Sequence, residues 1–212
     1  MKLTATPLTR RRALAYSGAG LVALAAMTAP ARANDEAETY VAAILEEANA
    51  FSDEDEPTRF AKIEILVDRH VDMRRVGRFV LGQYARRMTP AQETQYQPLF
   101  RRYATQVYQK VLSEYGGQKL EVTDSVVRSP RDIIVNSRIK DARPGERFAE
   151  VTFSWRVYVS RDGEMSVFDA AADGVWLAIE QRGQFTSIIA NNGGGEAGVE
   201  ALLADLREKV GA

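Results

Sequence analysis

The chain has no cysteine and only one histidine, His70, among its 212 residues. Without cysteine it can form neither a disulfide, nor a thiolate nucleophile, nor a thiolate metal site. A zinc site built on one histidine would need carboxylates for its other protein ligands, which is uncommon. No activated nucleophile stands out elsewhere in the chain. We therefore predict no catalytic and no metal-binding residues.

Acidic residues are missing from the N-terminus, where the first one is Asp35. Three arginines at positions 10–12 precede an apolar run over residues 13–29, which is too short to span a bilayer. Residues 31–33, Ala-Arg-Ala, then form the small-x-small pattern that signal peptidase cleaves. We predict that residues 1–33 are a cleaved export signal and that the mature chain is periplasmic. The arginine cluster leaves open both the twin-arginine route and the general secretory route.

Residues 34–212 are predicted to form a single domain, which is long enough to bury a substantial core. The whole chain has a net charge of −1, and loss of the five cationic residues of the predicted signal lowers that charge to −6. An acidic chain is a poor partner for nucleic acid. It is also not attracted to anionic lipid headgroups. We therefore expect no nucleic-acid partner.

The hydrophobic periodicity is helical from Asp35 to Tyr115 and again after Val175. Thr89 and Gln92 can exchange hydrogen bonds as a capping box, with Pro90 at the first position of a long helix. Pro98 should kink or restart that helix. The predicted helices are residues 36–50, a second from 57, 71–83, a fourth from 89, and 198–209.

The stretch from Lys119 to about Ala172 predicts four strands separated by short turns. Short turns between consecutive strands indicate an antiparallel meander. Residues 149–159 alternate apolar and polar side chains, which predicts a sheet with one dry face. Helices packed on that face give an α+β architecture. The turns are Ser-Pro-Arg-Asp at 129–132, Arg-Pro-Gly-Glu at 143–146 and Asp-Gly at 162–163.

The few polar residues with potential chemistry have simpler explanations. His70 with Asp72, Asp169 or Asp173 could form a general base and its orienting acid. We favour the alternative that His70 ends a helix and bonds locally. The Gly193–Gly195 run lacks the Lys-Ser/Thr of a phosphate loop, so it predicts a flexible joint before the last helix. For the aromatic residues, sequence alone leaves open whether they fill a core or enclose a cavity.

Three sequence blocks resemble the MlaC family of periplasmic phospholipid-binding proteins, also called toluene-tolerance auxiliary proteins. The resemblance covers nearly all of the predicted mature chain. Trp155 and Trp176 depart from the residues more usual at their positions. The first block is His70-x-Asp72-Met73-x-x-Val76-x-x-Phe79-Val80-Leu81-Gly82-x-Tyr84, followed by Thr89-Pro90-x-Gln92 and Phe100; the second is Gly174-Val175-x-Leu177 with Arg182-x-Gln184-Phe185-x-Ser187-Ile188; the third is Gly198-Val199 with Leu202, Leu203 and Lys209.

The resemblance implies a fold similar to nuclear transport factor two. That fold would be a curved antiparallel four-stranded sheet with helices packed on its concave face around an apolar pocket. It implies no cofactor, with bound phospholipid as cargo. The implied partners are an outer-membrane lipoprotein complex and an inner-membrane ABC transporter complex with its membrane-anchored lipid-binding subunit. The chain would be a monomeric carrier between them that maintains outer-membrane lipid asymmetry.

Three other functions remain open alongside this one, and one of them is a purely structural interaction module, which predicts a filled core with no cavity. Another is hopanoid-associated lipid transport by the same fold, because a branch of the family is associated with hopanoid biosynthesis. The third is a small enzyme on the same cone-shaped fold, using His70 and an aspartate.

A lipid carrier needs apolar walls because each methylene exposed to water costs about 0.8 kcal/mol. A sixteen-carbon chain carried bare through water would therefore cost on the order of 10 kcal/mol. We expect a charged residue at Val107 or Val151 to abolish lipid loading. The predicted wall residues are Val76, Phe79, Val80, Phe100, Tyr103, Val107, Val151, Phe153, Trp155 and Trp176.

Overall fold

The computed structural model describes residues 29–114, 118–146 and 148–212. Most of the predicted export signal, residues 1–28, therefore lies outside the described residues. The helices are α1 (Ala29–Asn49), α2 (Glu56–His70), α3 (Met73–Val80), α4 (Pro90–Glu114), α5 (Leu177–Asn191) and α6 (Gly195–Val210), with a 3₁₀ helix at Gly82–Arg86. The strands are β1 (Leu120–Ser129), β2 (Asp132–Ile139), β3 (Phe153–Val159), β4 (Met165–Ala172) and β5 (Val175–Trp176).

The five strands form one curved antiparallel sheet in sequence order, which confirms the α+β meander. The prediction of four strands is wrong because β5 adds a short fifth one, in which Val175 pairs with Ala172 and Trp176 with Ala171. Asp173 and Gly174 have φ values of 51° and 80° and form the tight turn before it. A strand of two residues is too short to produce an alternating pattern, so the sequence did not reveal it.

Helix α1 covers the first two strands. Its residues Ala37, Val41 and Leu45 recur every four positions and are buried against a sheet cluster that includes Val135 and Val157. This spacing places all three on one helix face. The predicted helix over residues 36–50 is confirmed, although α1 begins earlier, at Ala29.

The prediction of a single helix over residues 71–83 is wrong. Helix α3 begins after Asp72, whose carboxylate accepts a hydrogen bond from the Arg75 amide at 3.0 Å. It ends at Val80, and the 3₁₀ helix follows from Gly82, whose φ is 56°. A positive φ cannot continue a right-handed α-helix, and glycine adopts it without a Cβ clash. The break turns the chain between α3 and α4.

The predicted capping box at the start of α4 is confirmed. The Gln92 amide donates to the Thr89 hydroxyl at 3.2 Å, and the Thr89 amide donates to the Gln92 side chain at 3.2 Å. The Gln92 side-chain amide also donates to the Glu196 carbonyl at 3.0 Å, which links α4 to α6. Pro98 lies inside α4, which continues through it instead of restarting there.

A second cluster of buried residues joins the helices. On α4, Tyr96, Phe100, Ala104 and Tyr108 are buried at intervals of four residues. They pack with the buried faces of the last two helices, where Phe185 lies on α5. In the described part of the chain, no helix is both long enough and apolar enough to cross a membrane.

A two-chambered apolar cavity as the candidate functional site

Two apolar cavities adjoin between the helices and the sheet. The first, of about 130 Å³, lies between the end of α1, helix α2 and the sheet, and the second, of about 90 Å³, between α2, α4 and strands β3 and β4. We call them the first and second chambers. Four residues line both chambers and form their common wall: Val67, Val71, Trp155 and Val167.

Several polar groups around the first chamber bond to other parts of the protein. The Asn49 side chain donates to the Leu120 carbonyl at 2.8 Å and accepts from the Leu120 amide at 2.9 Å. The Ser52 hydroxyl donates to the Asn49 carbonyl, and Arg59 donates to the Glu54 carbonyl. A charged group placed inside would find few partners and would lose its hydration, whereas a hydrocarbon chain would lose nothing. The cavity therefore suits an apolar guest.

The wall of the second chamber on β4 is made of small side chains. Ala170, Ala171 and Ala172 follow one another there, and Ala172 and Ala170 pair with Phe153 and Trp155 on β3. Alanine fills little of the space that a Val or Leu would take in a packed core. This run is one reason why a cavity remains at this position.

Hydrogen bonds fix the orientation of Trp155 in the common wall. Its indole N–H donates to the Ser137 hydroxyl at 2.9 Å, and that hydroxyl donates to the Phe153 carbonyl at 3.3 Å. Because the only polar atom of the indole is satisfied inside the sheet, the ring can present apolar surface to both chambers.

Of the ten predicted wall residues, the structure brings Phe153 and Trp155 to the cavity.

The other eight predicted wall residues lie elsewhere. Val76, Val80 and Phe100 are fully buried in the helical core, and Tyr103 packs on Phe185 with ring centroids 5.6 Å apart. Phe79 contacts Phe168 in a separate recess, and Val107, Val151 and Trp176 line neither chamber. Val151 also precedes β3, which begins at Phe153.

The apolar stripes of α3 and α4 indicated burial but did not show what each stripe faces. Both stripes pack mainly against other helices, although Tyr108 and Val111 near the end of α4 line the second chamber. The sequence interpretation missed most of the cavity wall. The alanine run on β4 was a usable signal, because small residues in a predicted strand leave space opposite bulky neighbours.

His70 is the last residue of α2 and lines the first chamber. A hydrogen bond of 3.1 Å joins its Nδ1 to the Tyr40 hydroxyl on α1. Burial, and then the charge of Arg69, lower the pKa of His70, which favours the neutral imidazole. Asp72 and Asp169 bond to backbone amides at the starts of α3 and α5. The described contacts give His70 no carboxylate partner of the kind that an acid–base pair would need.

Asp169 is 1% exposed, and one of its oxygens accepts hydrogen bonds from the Ala170 and Ala178 amides, each at 2.9 Å. The second bond satisfies a backbone amide in the first turn of α5. The other carboxylate oxygen has no hydrogen-bond partner within the described residues. Burial raises the pKa of Asp169 to about 6. Its role here is to hold the start of α5 beside the second chamber.

Replacing Asp169 by asparagine should stabilise the protein in a pH-dependent way. Because the pKa of Asp169 is raised in the folded protein, ionisation of this carboxyl disfavours folding. Its contribution to the free energy of unfolding is therefore largest below about pH 4 and falls as the pH rises through 6. Ionisation of this buried carboxyl lowers the free energy of unfolding by about 3 kcal/mol. Asparagine keeps an acceptor for Ala178 without the charge. In urea unfolding, the variant should have a higher free energy of unfolding than the parent at pH 8, and this difference should disappear at pH 4. A difference in unfolding free energy that is equal at both pH values would contradict this.

Metal binding has no candidate centre in residues 29–114, 118–146 and 148–212. No group of three or more His, Cys, Asp or Glu side chains lies close enough together there to hold an ion.

The fold and the cavity together define an α+β protein with an internal apolar site. A solved structure from Ralstonia solanacearum, a phospholipid-binding protein in complex with a phospholipid, is similar to the chain with a TM-score of 0.66 and 24% identity. The match covers 82% of this chain and 97% of that one, and it shows that the two share a fold. The family described as MlaC protein matches residues 35–208, so the chain belongs to the MlaC family. The resemblance noted in the sequence is thus confirmed.

Proposed function

We propose that the chain is a periplasmic lipid carrier that encloses phospholipid acyl chains in the two chambers. The observation that carries this proposal is the apolar common wall, through which one long guest could occupy both chambers. The headgroup would stay at the protein surface, where water solvates it. A similar protein bound to a phospholipid supports the proposed ligand class.

Loading would require the two chambers to widen. Their volumes of about 130 and 90 Å³ are below the roughly 300–1,000 Å³ of typical ligand pockets. The side chains of the common wall would have to turn aside for an acyl chain to pass between the chambers. Removing each methylene from water returns about 0.8 kcal/mol, which can offset the cost of such repacking. We further propose that the fold is of the type found in nuclear transport factor two.

The remaining parts of the proposal concern location and partners. Residues 1–33 would direct export and be removed, leaving residues 34–212 as the single lipid-binding domain in the periplasm. The carrier would then exchange lipid with an outer-membrane lipoprotein complex and an inner-membrane ABC transporter complex, and so maintain the asymmetry of the outer membrane. Sequence resemblance and membership of the MlaC family support these roles.

Transfer of lipid between vesicles tests the carrier function. Donor vesicles containing a self-quenched fluorescent phospholipid are mixed with acceptor vesicles, with or without the purified chain. We expect the chain to increase the rate of dequenching in proportion to its concentration, because each molecule carries lipid through water. A rate equal to that of the protein-free mixture would contradict the proposal. A parallel assay with a hopanoid probe distinguishes the alternative cargo, since a hopanoid carrier would transfer that probe in preference.

A further inference from the structure

A second concave site lies apart from the lipid cavity. It has a volume of about 400 Å³ and shares no lining residue with either chamber. We call it the arginine–aromatic recess. It lies between α3, the turn joining β1 to β2, and strands β3 and β4. Three arginines and three aromatic residues account for most of its lining: Arg75, Arg131, Arg156, Phe79, Tyr158 and Phe168.

Aromatic rings hold the guanidinium groups in place. The Arg75 guanidinium carbon lies 3.6 Å from the centroid of the Tyr158 ring, and that of Arg156 lies 5.0 Å from the Phe168 ring. Phe79 packs edge-on against Phe168, with centroids 5.1 Å apart. Cation–π contacts of this kind restrict long, flexible side chains before any partner arrives. Less conformational entropy is then lost on binding.

The acidic neighbours satisfy only part of this positive charge. Asp132 bonds the Arg156 guanidinium at 2.8 and 2.9 Å, and Asp72 bonds Nε of Arg75 at 3.1 Å. For the Arg131 side chain, the described contacts include no acceptor. With Asp132 as its single acid, the lining of the recess carries a net charge of +2. This is a local reversal of charge on a predicted mature chain of net charge −6.

We propose that the arginine–aromatic recess is a docking site for an acidic segment of a partner protein. Its planar guanidinium groups match the geometry of carboxylates, which arginine can bind through two parallel hydrogen bonds. Arginine and tyrosine dominate the residues that contribute most to protein–protein affinity. The recess is concave, so a narrow peptide segment can enter it whereas a flat bilayer surface would contact only its rim, which favours a protein partner over a membrane. This inference goes beyond the proposed lipid transport and does not depend on it.

The test uses a defined acidic probe, an acetylated hexaglutamate amide. Side-chain Nε–H resonances of arginine are followed by NMR during titration of the lipid-free chain. We expect the largest shift at Arg131, smaller shifts at Arg75 and Arg156, and an affinity about fivefold weaker after Arg131→Glu. Arg161→Glu is the matched control, because Arg161 lies in the exposed turn between β3 and β4 and outside the recess. It should change the affinity much less.

Three outcomes would overturn the inference. One is the absence of any shift. Another is a set of shifts spread over the surface, with Arg131→Glu and Arg161→Glu weakening binding equally. The third is sedimentation with phosphatidylglycerol vesicles that depends on Arg131 while the peptide produces no response, which would make the recess a membrane contact. No lipid transfer is measured, so failure here is separate from failure of the carrier proposal.

Discussion

Replacing Ala170 by leucine should reduce phospholipid uptake by about 50-fold while the protein remains folded. Ala170 lines the second chamber and pairs with Trp155 across β3 and β4. Leucine adds three carbon atoms to a space of about 90 Å³, so room for about three lipid methylenes is lost. At about 0.8 kcal/mol each, this is about 2.4 kcal/mol of binding free energy. Uptake is measured as equilibrium binding of a fluorescent phospholipid.

The matched control is Ala190→Leu, which adds the same atoms at an exposed position of α5. It should leave uptake unchanged. Filling existing space rarely destabilises a protein, so thermal unfolding of Ala170→Leu should occur near that of the parent. A folded Ala170→Leu variant that takes up lipid as well as the parent would place the ligand outside the second chamber. Ala170→Leu is a sharper test than a charged residue introduced at Val107 or Val151, because neither of those positions lines a chamber.

Replacing Gly198 by alanine should lower the free energy of unfolding by about 3 kcal/mol. An added Cβ would lie 2.3 Å from the carbonyl oxygen of Ile189, where α6 crosses α5. That oxygen belongs to the backbone, so the two helices would have to move apart to relieve the clash. The buried residues on both helices would then lose part of their packing. Urea unfolding followed by circular dichroism measures the change.

Gly183→Ala is the control for the intrinsic effect of alanine in a helix. Gly183 is exposed on α5, and an added Cβ there meets no atom within 4 Å. Because alanine favours the helical state over glycine by about 1 kcal/mol, this variant should be equally or more stable. If Gly198→Ala were as stable as Gly183→Ala, the close approach of α5 and α6 would not constrain the fold.

Local chemistry made much of the fold predictable. The capping box at Thr89 and Gln92 depends on side chains within three residues, and the structure forms it as expected. Pro, Gly and Asp between the strands predicted the meander, although the connection from β2 to β3, residues 140–152, is longer than the turn predicted at 143–146. The break at Gly82 and the two-residue strand β5 were missed. The first depends on one glycine adopting a positive φ, and the second on pairing with a strand already formed.

The candidate site was less predictable because a cavity depends on which surfaces meet. Alternation along β3 identified the side of the sheet that carries Phe153 and Trp155, and both residues reach the cavity. The stripes containing Val76 on α3 and Phe100 on α4 were equally apolar, yet both residues pack among helices. Periodicity shows which face of an element is buried, but two buried faces produce the same pattern whether they meet or leave a gap.

Native mass spectrometry of the gently purified chain, expressed with its full N-terminus, tests the central claim most directly. We predict a species heavier than the bare chain by the mass of a phospholipid, which chloroform–methanol extraction converts to the bare mass. Loading should also be restored by incubation with phospholipid vesicles. A chain found only at its bare mass, with no lipid in the extract and no uptake from vesicles, would contradict the account.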